Sequence, residues 1–368
     1  MGYFGNDQKF GFGCMRLPMI GEEVDLKQFK EMVDLFIESG FKYFDTAHGY
    51  LKGLSELAIK ECLTSRYSRD KYFLTNKLTE PYFNKEEDIR PFFMDQLARC
   101  GVDYFDFYLM HAQNKRNFEH FKRCKAYETA FELKKEGKIK HVGISFHDTA
   151  DVLDNILTTY PEIEVVQIQY NYLDYDSKNT QSRLCREVCE KHQKPIIIME
   201  PIKGGRLINL PPKALEFVKE EHISPANLAL RFAANPSSVM MVLSGMSTLE
   251  QMKENLSFMK DVKPLSSKEV DLAFKIRDII IKENLIPCTS CKYCVEGCPQ
   301  KIAIPNIFDV FNADRVFNDW SAKRRYREEV TLNSGLASSC IKCGKCERVC
   351  PQKLPIRELL AEVAKAYE

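Results

Sequence analysis

The sequence predicts an α/β protein, a (β/α)8 barrel followed by a small, mainly α-helical domain, and three observations carry that prediction. Short β-branched or aromatic runs recur about every 30 residues through the first two thirds of the chain, and amphipathic stretches separate them. Two matching cysteine runs close the sequence. At 368 residues and 44% hydrophobic, the chain can bury one large core and one small one.

The N-terminal FGFGCMRL is the first expected strand. Tyr43 to Asp45, Tyr72 to Thr75, Phe105 to Met110, His141 to Ile144, Val165 to Gln169, Pro195 to Met199 and Val239 to Leu243 follow, which makes eight. Helices are expected between them at Leu26 to Ser39, Glu86 to Cys100, Phe118 to Glu136, Ser182 to His192 and Leu249 to Met259. Gly40, Gly101 and Gly137 sit where helices end, as the left-handed residue of a C-cap does. Eight βα units close into a TIM barrel, in which chemistry gathers at the C-terminal ends of the strands. Asp45, Lys77 and His111 fall just beyond strands two, three and four on this assignment. After the barrel, Pro264 to Ser267 reads as a start signal for an amphipathic helix that Pro287 stops.

Cys288, Cys291, Cys294 and Cys298-Pro299 form one C-x2-C-x2-C-x3-C-P run, and Cys340, Cys343, Cys346 and Cys350-Pro351 repeat it. Three thiolates from one tight loop suit three corners of a cubane cluster, with the fourth ligand arriving from farther away. Zinc, which takes ligands as two pairs, and disulfides fit this spacing poorly. Two [4Fe-4S] clusters are therefore expected. The segment resembles two-cluster ferredoxins, in which the last cysteine of each run crosses to the other cluster. That implies Cys288, Cys291, Cys294 and Cys350 around one cluster, and Cys340, Cys343, Cys346 and Cys298 around the other. The 41 residues between the runs exceed a compact βαβ insert, and Ile307 to Val330 reads as helical, which favours an α-helical ferredoxin-like domain. Phe308, Phe311, Phe317 and the sole tryptophan, Trp320, are expected to pack around the clusters.

A formal net charge of +1, from 53 basic and 52 acidic residues, gives no global field for nucleic acid. No window approaches an 18-residue uncharged apolar span, and MGYFGNDQKF lacks the features of a secretory leader. With 14 cysteines, that points to a reducing cytoplasm and to no membrane. Lys323, Arg324, Arg325 and Arg327 form a local basic run, which reads either as a solvated helix face or as a docking surface for an acidic electron carrier. Cys14, Cys62, Cys100, Cys124, Cys185 and Cys189 lack cluster spacing and are expected to pack.

The stretches FDTAHGYLKGLSE, LTNK and YFDFYLMHA resemble the aldo-keto reductase family, and the cysteine runs point to its iron-sulfur subgroup with a C-terminal two-[4Fe-4S] domain. The resemblance implies a catalytic tetrad of Asp45, Tyr50, Lys77 and His111. Tyr50 would supply the proton, Lys77 would lower its pKa, Asp45 would hold Lys77, and His111 would bond the substrate oxygen or relay its proton. His48, inside the same motif, lines the substrate pocket or simply packs. Ser145, Gln167, and Met199 and Pro201 in MEPIKGGRL match positions that hold the nicotinamide and phosphate bridge. Ser247, Gln251, Glu254 and Asn255 in GMSTLEQMKEN match the adenosine end. The sequence departs from the family at Phe146, at Met199 where an aromatic commonly stacks, and at Gly245 and Met246, where relatives that clamp a 2′-phosphate carry lysine and serine. No GxGxxG occurs.

The expected organisation is a barrel over residues 1–260, a connecting helix over 261–286 and a ferredoxin-like domain over 287–368. The expected function is NAD(P)H-linked carbonyl/alcohol interconversion, with NADP or NAD as hydride carrier, a small-molecule carbonyl as substrate, and coupling through the clusters to a ferredoxin or flavoprotein. A hydride carries two electrons and a cluster passes one, so a flavin is an allowed third cofactor. A cluster-fed, flavin-assisted reductase and a redox-sensing binding protein are the alternatives.

Overall fold

The computed structural model describes residues 8–178, 180–283, 285–317 and 321–368. Its strands are β1 (Phe10–Gly13), a two-stranded ribbon of β2 (Met19–Ile20) and β3 (Glu23–Val24), β4 (Tyr43–Asp45), β5 (Phe73–Leu78), β6 (Phe105–Gln113), β7 (Ile139–Phe146), β8 (Val165–Gln169), β9 (Ile196–Met199) and β10 (Val239–Ser244). All but the ribbon close into one barrel in the order β1-β4-β5-β6-β7-β8-β9-β10, with β10 pairing back to β1, every pair parallel.

Parallel strands buried on both faces alternate between the barrel interior and the surrounding helices. Tyr43, Phe107, Leu109, Val165, Ile197, Met241 and Leu243 fill the interior as one apolar cluster. Gly143 lies beside Leu109 on one strand and Val165 on the other. A Cβ there would sit 2.5 Å from Val165 Cγ1 and 2.7 Å from Leu109 Cδ2. Glycine at this position makes room for two large neighbours in the same layer.

The helices flanking the strands are α1 (Leu26–Glu38), α2 (Leu54–Ile59), α3 (Glu86–Cys100), α4 (Lys115–Arg123), α5 (Ala126–Lys135), α6 (Ala150–Thr159) and α7 (Ser182–Lys191). Next come α8 (Pro212–Glu220), α9 (Pro225–Ala234) and α10 (Leu249–Met259). Gly101 ends α3 at φ +67, and Gly40 and Gly137 also take positive φ after their helices. One helix expected from Phe118 to Glu136 is instead two, because Lys125 turns left-handed at φ +50 and starts α5 afresh. Asn114 caps α4 by accepting from the Arg116 and Asn117 amides. Strands β5 and β6 run past their expected ends, so Lys77 and His111 lie inside strands rather than beyond them. Parallel pairing sustains the extension, Lys77 opposing Leu109 and Leu78 opposing Met110.

The chain separates into two compact units. The first holds the barrel through Pro201 together with Ala226–Ser266, and the second holds Ile202–Pro225 and Ser267–Glu368. In the second unit α8 packs with α11 (Ser267–Lys282), where the Lys275 ammonium lies 3.2 Å from the Phe217 ring centroid. Short helices α12 (Tyr293–Glu296), α14 (Ala322–Arg325) and α15 (Lys345–Arg348) accompany the longer α13 (Ile304–Phe317) and α16 (Ile356–Tyr367). Ile307, Phe308, Phe311, Tyr326, Leu360 and Tyr367 belong to their shared core. The stretch expected to be helical from Ile307 to Val330 comprises α13, α14 and a π-type turn at Tyr326–Val330. Trp320 and the Phe317 side chain lie outside the described residues. No described helix is long and apolar enough to cross a membrane.

Gly143→Ala should destabilise the barrel by about 1–3 kcal/mol through overpacking. Chemical denaturation checks this, and an unchanged midpoint would show that Val165 and Leu109 give way freely.

Candidate active site and cluster sites

Asp45 ends β4 and Lys77 lies one strand over on β5, so adjacent parallel strands carry both side chains into the barrel mouth. Lys77 is 0% exposed, and its Nζ donates to Asp45 Oδ1 at 2.6 Å and to the Thr46 carbonyl at 2.8 Å. The other carboxylate oxygen, Oδ2, accepts from Gln167 Nε2 at 3.2 Å. Burial presses Lys77 below the ordinary lysine range, while the Asp45 charge pulls it back up. Removing either partner would leave the other as an uncompensated buried charge.

Tyr50 follows the motif through a tight turn. It begins a 3-10 segment in which Leu51 and Lys52 both have positive φ. The Lys77 ammonium lies 4.8 Å from the Tyr50 ring centroid, and the His111 ring meets Tyr50 edge-on at 6.1 Å. Burial, then the Asp45 charge, hold the Tyr50 hydroxyl well above the usual phenol range, contrary to the lowering expected from Lys77. Tyr50 is thus a protonated donor at neutral pH. His111 goes the other way: burial, then Lys77, push it well below the usual histidine range, so it is neutral. Its Nδ1 lies 2.8 Å from Thr79 Oγ1. When Thr79 donates there, the ring carries its proton on Nε2, free to meet a substrate oxygen.

Sequence reasoning missed the group that frames these residues. Glu56, fully buried, accepts from Asn76 Nδ2 at 2.9 Å, Gln96 Nε2 at 3.2 Å and Arg99 Nε at 2.7 Å, and lies 2.8 Å from His48 Nδ1. Burial raises its pKa, yet these donors outweigh burial and leave it below the usual carboxylate range. Gln96 also donates to the Lys77 carbonyl, and Asn76 Oδ1 accepts from the Lys77 amide. Arg99 reaches the Gly53 carbonyl at 2.6 Å, closing the turn that presents Tyr50. His48 therefore serves this network, and it also lies edge-on to Tyr82 and Phe92. The signal was the glutamate ending FDTAHGYLKGLSE, but its partners are scattered over four sequence positions.

Ser145 and Gln167 sit side by side in register on β7 and β8. Ser145 Oγ accepts from the Ala112 amide at 2.8 Å. Gln169, two residues on from Gln167 and so on the same strand face, has a buried Nε2 with no hydrogen-bond partner, as has the Tyr172 hydroxyl. Orphaned buried donors of this kind fit the amide of a nicotinamide. Met199 opposes Gln169 in the ladder, and Pro201 is buried. Ser247 and Gln251 meet at the start of α10, where Gln251 Oε1 accepts from the Ser247 amide at 2.8 Å. Asn255 is buried against Ser244 Oγ at 3.3 Å, and Glu254 is exposed. Phe146 is buried on β7, Met246 is buried, and Gly245 lies against Arg16.

In the second unit the eight motif cysteines divide between two small clefts. Cys288, Cys291, Cys294 and Cys350 line one. Cys298, Cys340, Cys343 and Cys346 line the other. Each cleft thus takes three cysteines from one run and the last from the other. Burial, then the neighbouring Cys291, Cys288 and Cys350, push the Cys294 thiol up, so gathering four thiolates there needs a cationic centre. Among the described residues no three ligating side chains converge on one point as a single ion requires. A cubane does not ask for that, since each iron takes one thiolate. The donor sets fit such clusters. Cys185 and Cys189 are buried on α7, packing as expected.

Residues 9–278 match the model of the aldo/keto reductase family, and residues 287–354 match a 4Fe-4S dicluster domain. The NADH-specific methylglyoxal reductase of Escherichia coli (strain K12) is 24% identical over 269 residues, covering 61% of this chain and 81% of that protein. An aldo-keto reductase from Klebsiella pneumoniae, solved in complex with NADPH, superposes with a TM-score of 0.59 at 20% identity, over 74% of this chain and 90% of that one. An aldo-keto reductase from Bacillus halodurans, in its holo form, gives a TM-score of 0.59 at 25% identity over 73% and 91%.

Reconstituted protein should contain about eight irons per chain, and Cys350→Ser should lose about half of them. Iron and acid-labile sulfide analysis checks this, and full iron content in the variant would contradict the crossed ligand set.

Proposed function

We propose that this chain, which belongs to the aldo/keto reductase family and carries a C-terminal 4Fe-4S dicluster domain, is an oxidoreductase that reduces a small aldehyde or ketone at the barrel mouth with NAD(P)H. One observation carries the reading. A fully buried Lys77 is held by Asp45 at 2.6 Å and directed at the Tyr50 ring at 4.8 Å, beside a neutral His111.

When bound, the nicotinamide supplies a hydride to the carbonyl carbon. The chain's residues handle the oxygen. As negative charge develops there, Tyr50 Oη donates its proton, and the Lys77 ammonium stabilises the phenolate left behind. Asp45 keeps Lys77 charged and in place. Neutral His111 offers a second hydrogen bond to the same oxygen without adding a charge that would compete with Lys77 for Asp45. The protonated resting state of Tyr50 suits reduction. Alcohol oxidation would need the phenolate and hence an alkaline medium.

Ser145, Gln167, Met199 and Pro201 would hold the nicotinamide end, with the unpartnered Gln169 amide beside them. Ser247, Gln251, Glu254 and Asn255 would hold the adenosine end, where the lack of lysine at Gly245 and Met246 favours no 2′-phosphate clamp. One relative is an NADH-specific reductase and another binds NADPH, so either nucleotide can serve as hydride donor. When present, the clusters supply one-electron exchange with a carrier. The eight motif cysteines are their ligands, and a reducing cytoplasm is their compartment.

Tyr50→Phe should lower kcat for NAD(P)H-dependent aldehyde reduction by about 10²–10⁴-fold while nucleotide binding persists. Loss of binding in step with activity would instead make Tyr50 a structural residue. The native reduction rate should stay level from about pH 6 to 8, since His111 titrates below this window and Tyr50 above it, and a fall at higher pH would come from Lys77, which burial lowers. A bell centred near pH 7 in the kcat profile would contradict both assignments.

A further inference from the structure

The two cysteine runs repeat one another through Cys-Pro-Gln-Lys, at 298–301 and at 350–353. A repeat this close predicts similar surroundings, yet the two halves differ in cover and in charge. Thr289, after the first cysteine of the first run, is 1% exposed, whereas its counterpart Ile341 is 59% exposed. Gln352 is buried and Gln300 is exposed. The segment around Lys203 supplies the cover. Gly204, at φ +63, approaches Thr289 so closely that a Cβ would lie 2.5 Å from the Thr289 carbonyl oxygen. Buried Lys203 donates to Gln352 Oε1, and Arg206 donates to the Ile286 carbonyl.

The loop from Cys340 to Cys350 is more open. Cys343 is exposed, and Val349 beyond it is 43% exposed. From Cys288 to Cys298 the charged residues are Lys292 and Glu296, which sum to zero. From Cys340 to Cys350 they are Lys342, Lys345, Arg348 and Glu347, which sum to +2. Arg357 already neutralises Glu347 at 2.7 Å, while Lys342, Lys345 and Arg348 are exposed. The competing basic run between the motifs is compensated from within, since Arg324 pairs with Glu328 and Arg325 with Glu329. Exposed Ile341 between Cys340 and Lys342, with exposed Lys345 nearby and Arg348 donating to the Cys343 carbonyl, sets an apolar side chain and three cations beside an exposed cluster ligand, the make-up of a transient electron-transfer contact.

We propose that this face of the second cluster loop, formed by Ile341, Lys342, Cys343, Lys345 and Arg348, docks an acidic one-electron carrier protein. The inference rests on the reading that the eight motif cysteines hold clusters. One electron passes between carrier and chain at this face. The electron the carrier gives up would be taken by the cluster that Cys298, Cys340, Cys343 and Cys346 would hold, and no proton moves. The first half is shielded by the Lys203 segment and takes no part in the encounter.

Stopped-flow mixing of the reconstituted chain with a reduced, strongly acidic ferredoxin tests this. Iron content and the EPR signal after dithionite are recorded first, so that missing clusters are not mistaken for a wrong surface. The native second-order rate should fall steeply with added salt. Lys342→Glu with Lys345→Glu should slow transfer at least tenfold at low salt, with iron content and EPR signal unchanged. Lys323→Glu with Arg324→Glu should leave the rate within twofold. Native-rate transfer by the first pair, loss at the second pair, or no exchange between EPR-visible clusters and the ferredoxin would each overturn the proposal.

Discussion

The buried ion pair of Lys77 and Asp45 is the constraint on which the architecture of the barrel mouth, and the chemistry proposed for it, depends. A lysine with no exposure is costly unless its charge is matched and its donors are used. Here Asp45 Oδ1 and the Thr46 carbonyl take two of its donors, and Gln167 bonds the far carboxylate oxygen. Satisfying these groups fixes the register of the neighbouring strand ends. It also places one positive charge beside the Tyr50 ring.

A second polar network keeps that pair in place from behind. Glu56 draws together His48, Asn76, Gln96 and Arg99, and two of those also bond the Lys77 backbone. Loop turn, strand and helix are thereby tied to one carboxylate. Fully satisfied buried networks rigidify in this way, and partly satisfied ones are destabilising. The left-handed Leu51 and Lys52 sit in the loop so braced.

Much of this was legible in the sequence because the signals were local. The eight strands announced themselves as β-branched or aromatic runs, and Gly101 marked the end of α3 because a left-handed C-cap favours glycine. Asp45, Lys77 and His111 could be placed near the ends of strands two, three and four from spacing, although all three lie within β4, β5 and β6 rather than beyond them. What stayed hidden depended on distant partners. Lys125 gives no propensity signal for the break between α4 and α5. Lys77 falls inside β5 because pairing with β6 carries the strand onward. Glu56 has four partners separated by up to 43 residues, and nothing in a linear reading joins them. The cysteine spacing suggested a crossed arrangement only through resemblance, and the cleft linings place the same sets together. The charge difference between the two runs was present in the sequence, but the cover over Thr289 alone was not.

The claim on which the functional account turns is that hydride passes from a nicotinamide to a carbonyl carbon at the barrel mouth. Anaerobic incubation with NADH or NADPH deuterated at the nicotinamide C4, together with a small aldehyde, tests it through the position of the label in the alcohol. The account predicts deuterium on the carbinol carbon, delivered from one face of the ring only. Alcohol formed without label, and only when a one-electron reductant is present, would contradict it and move the source of electrons to the clusters.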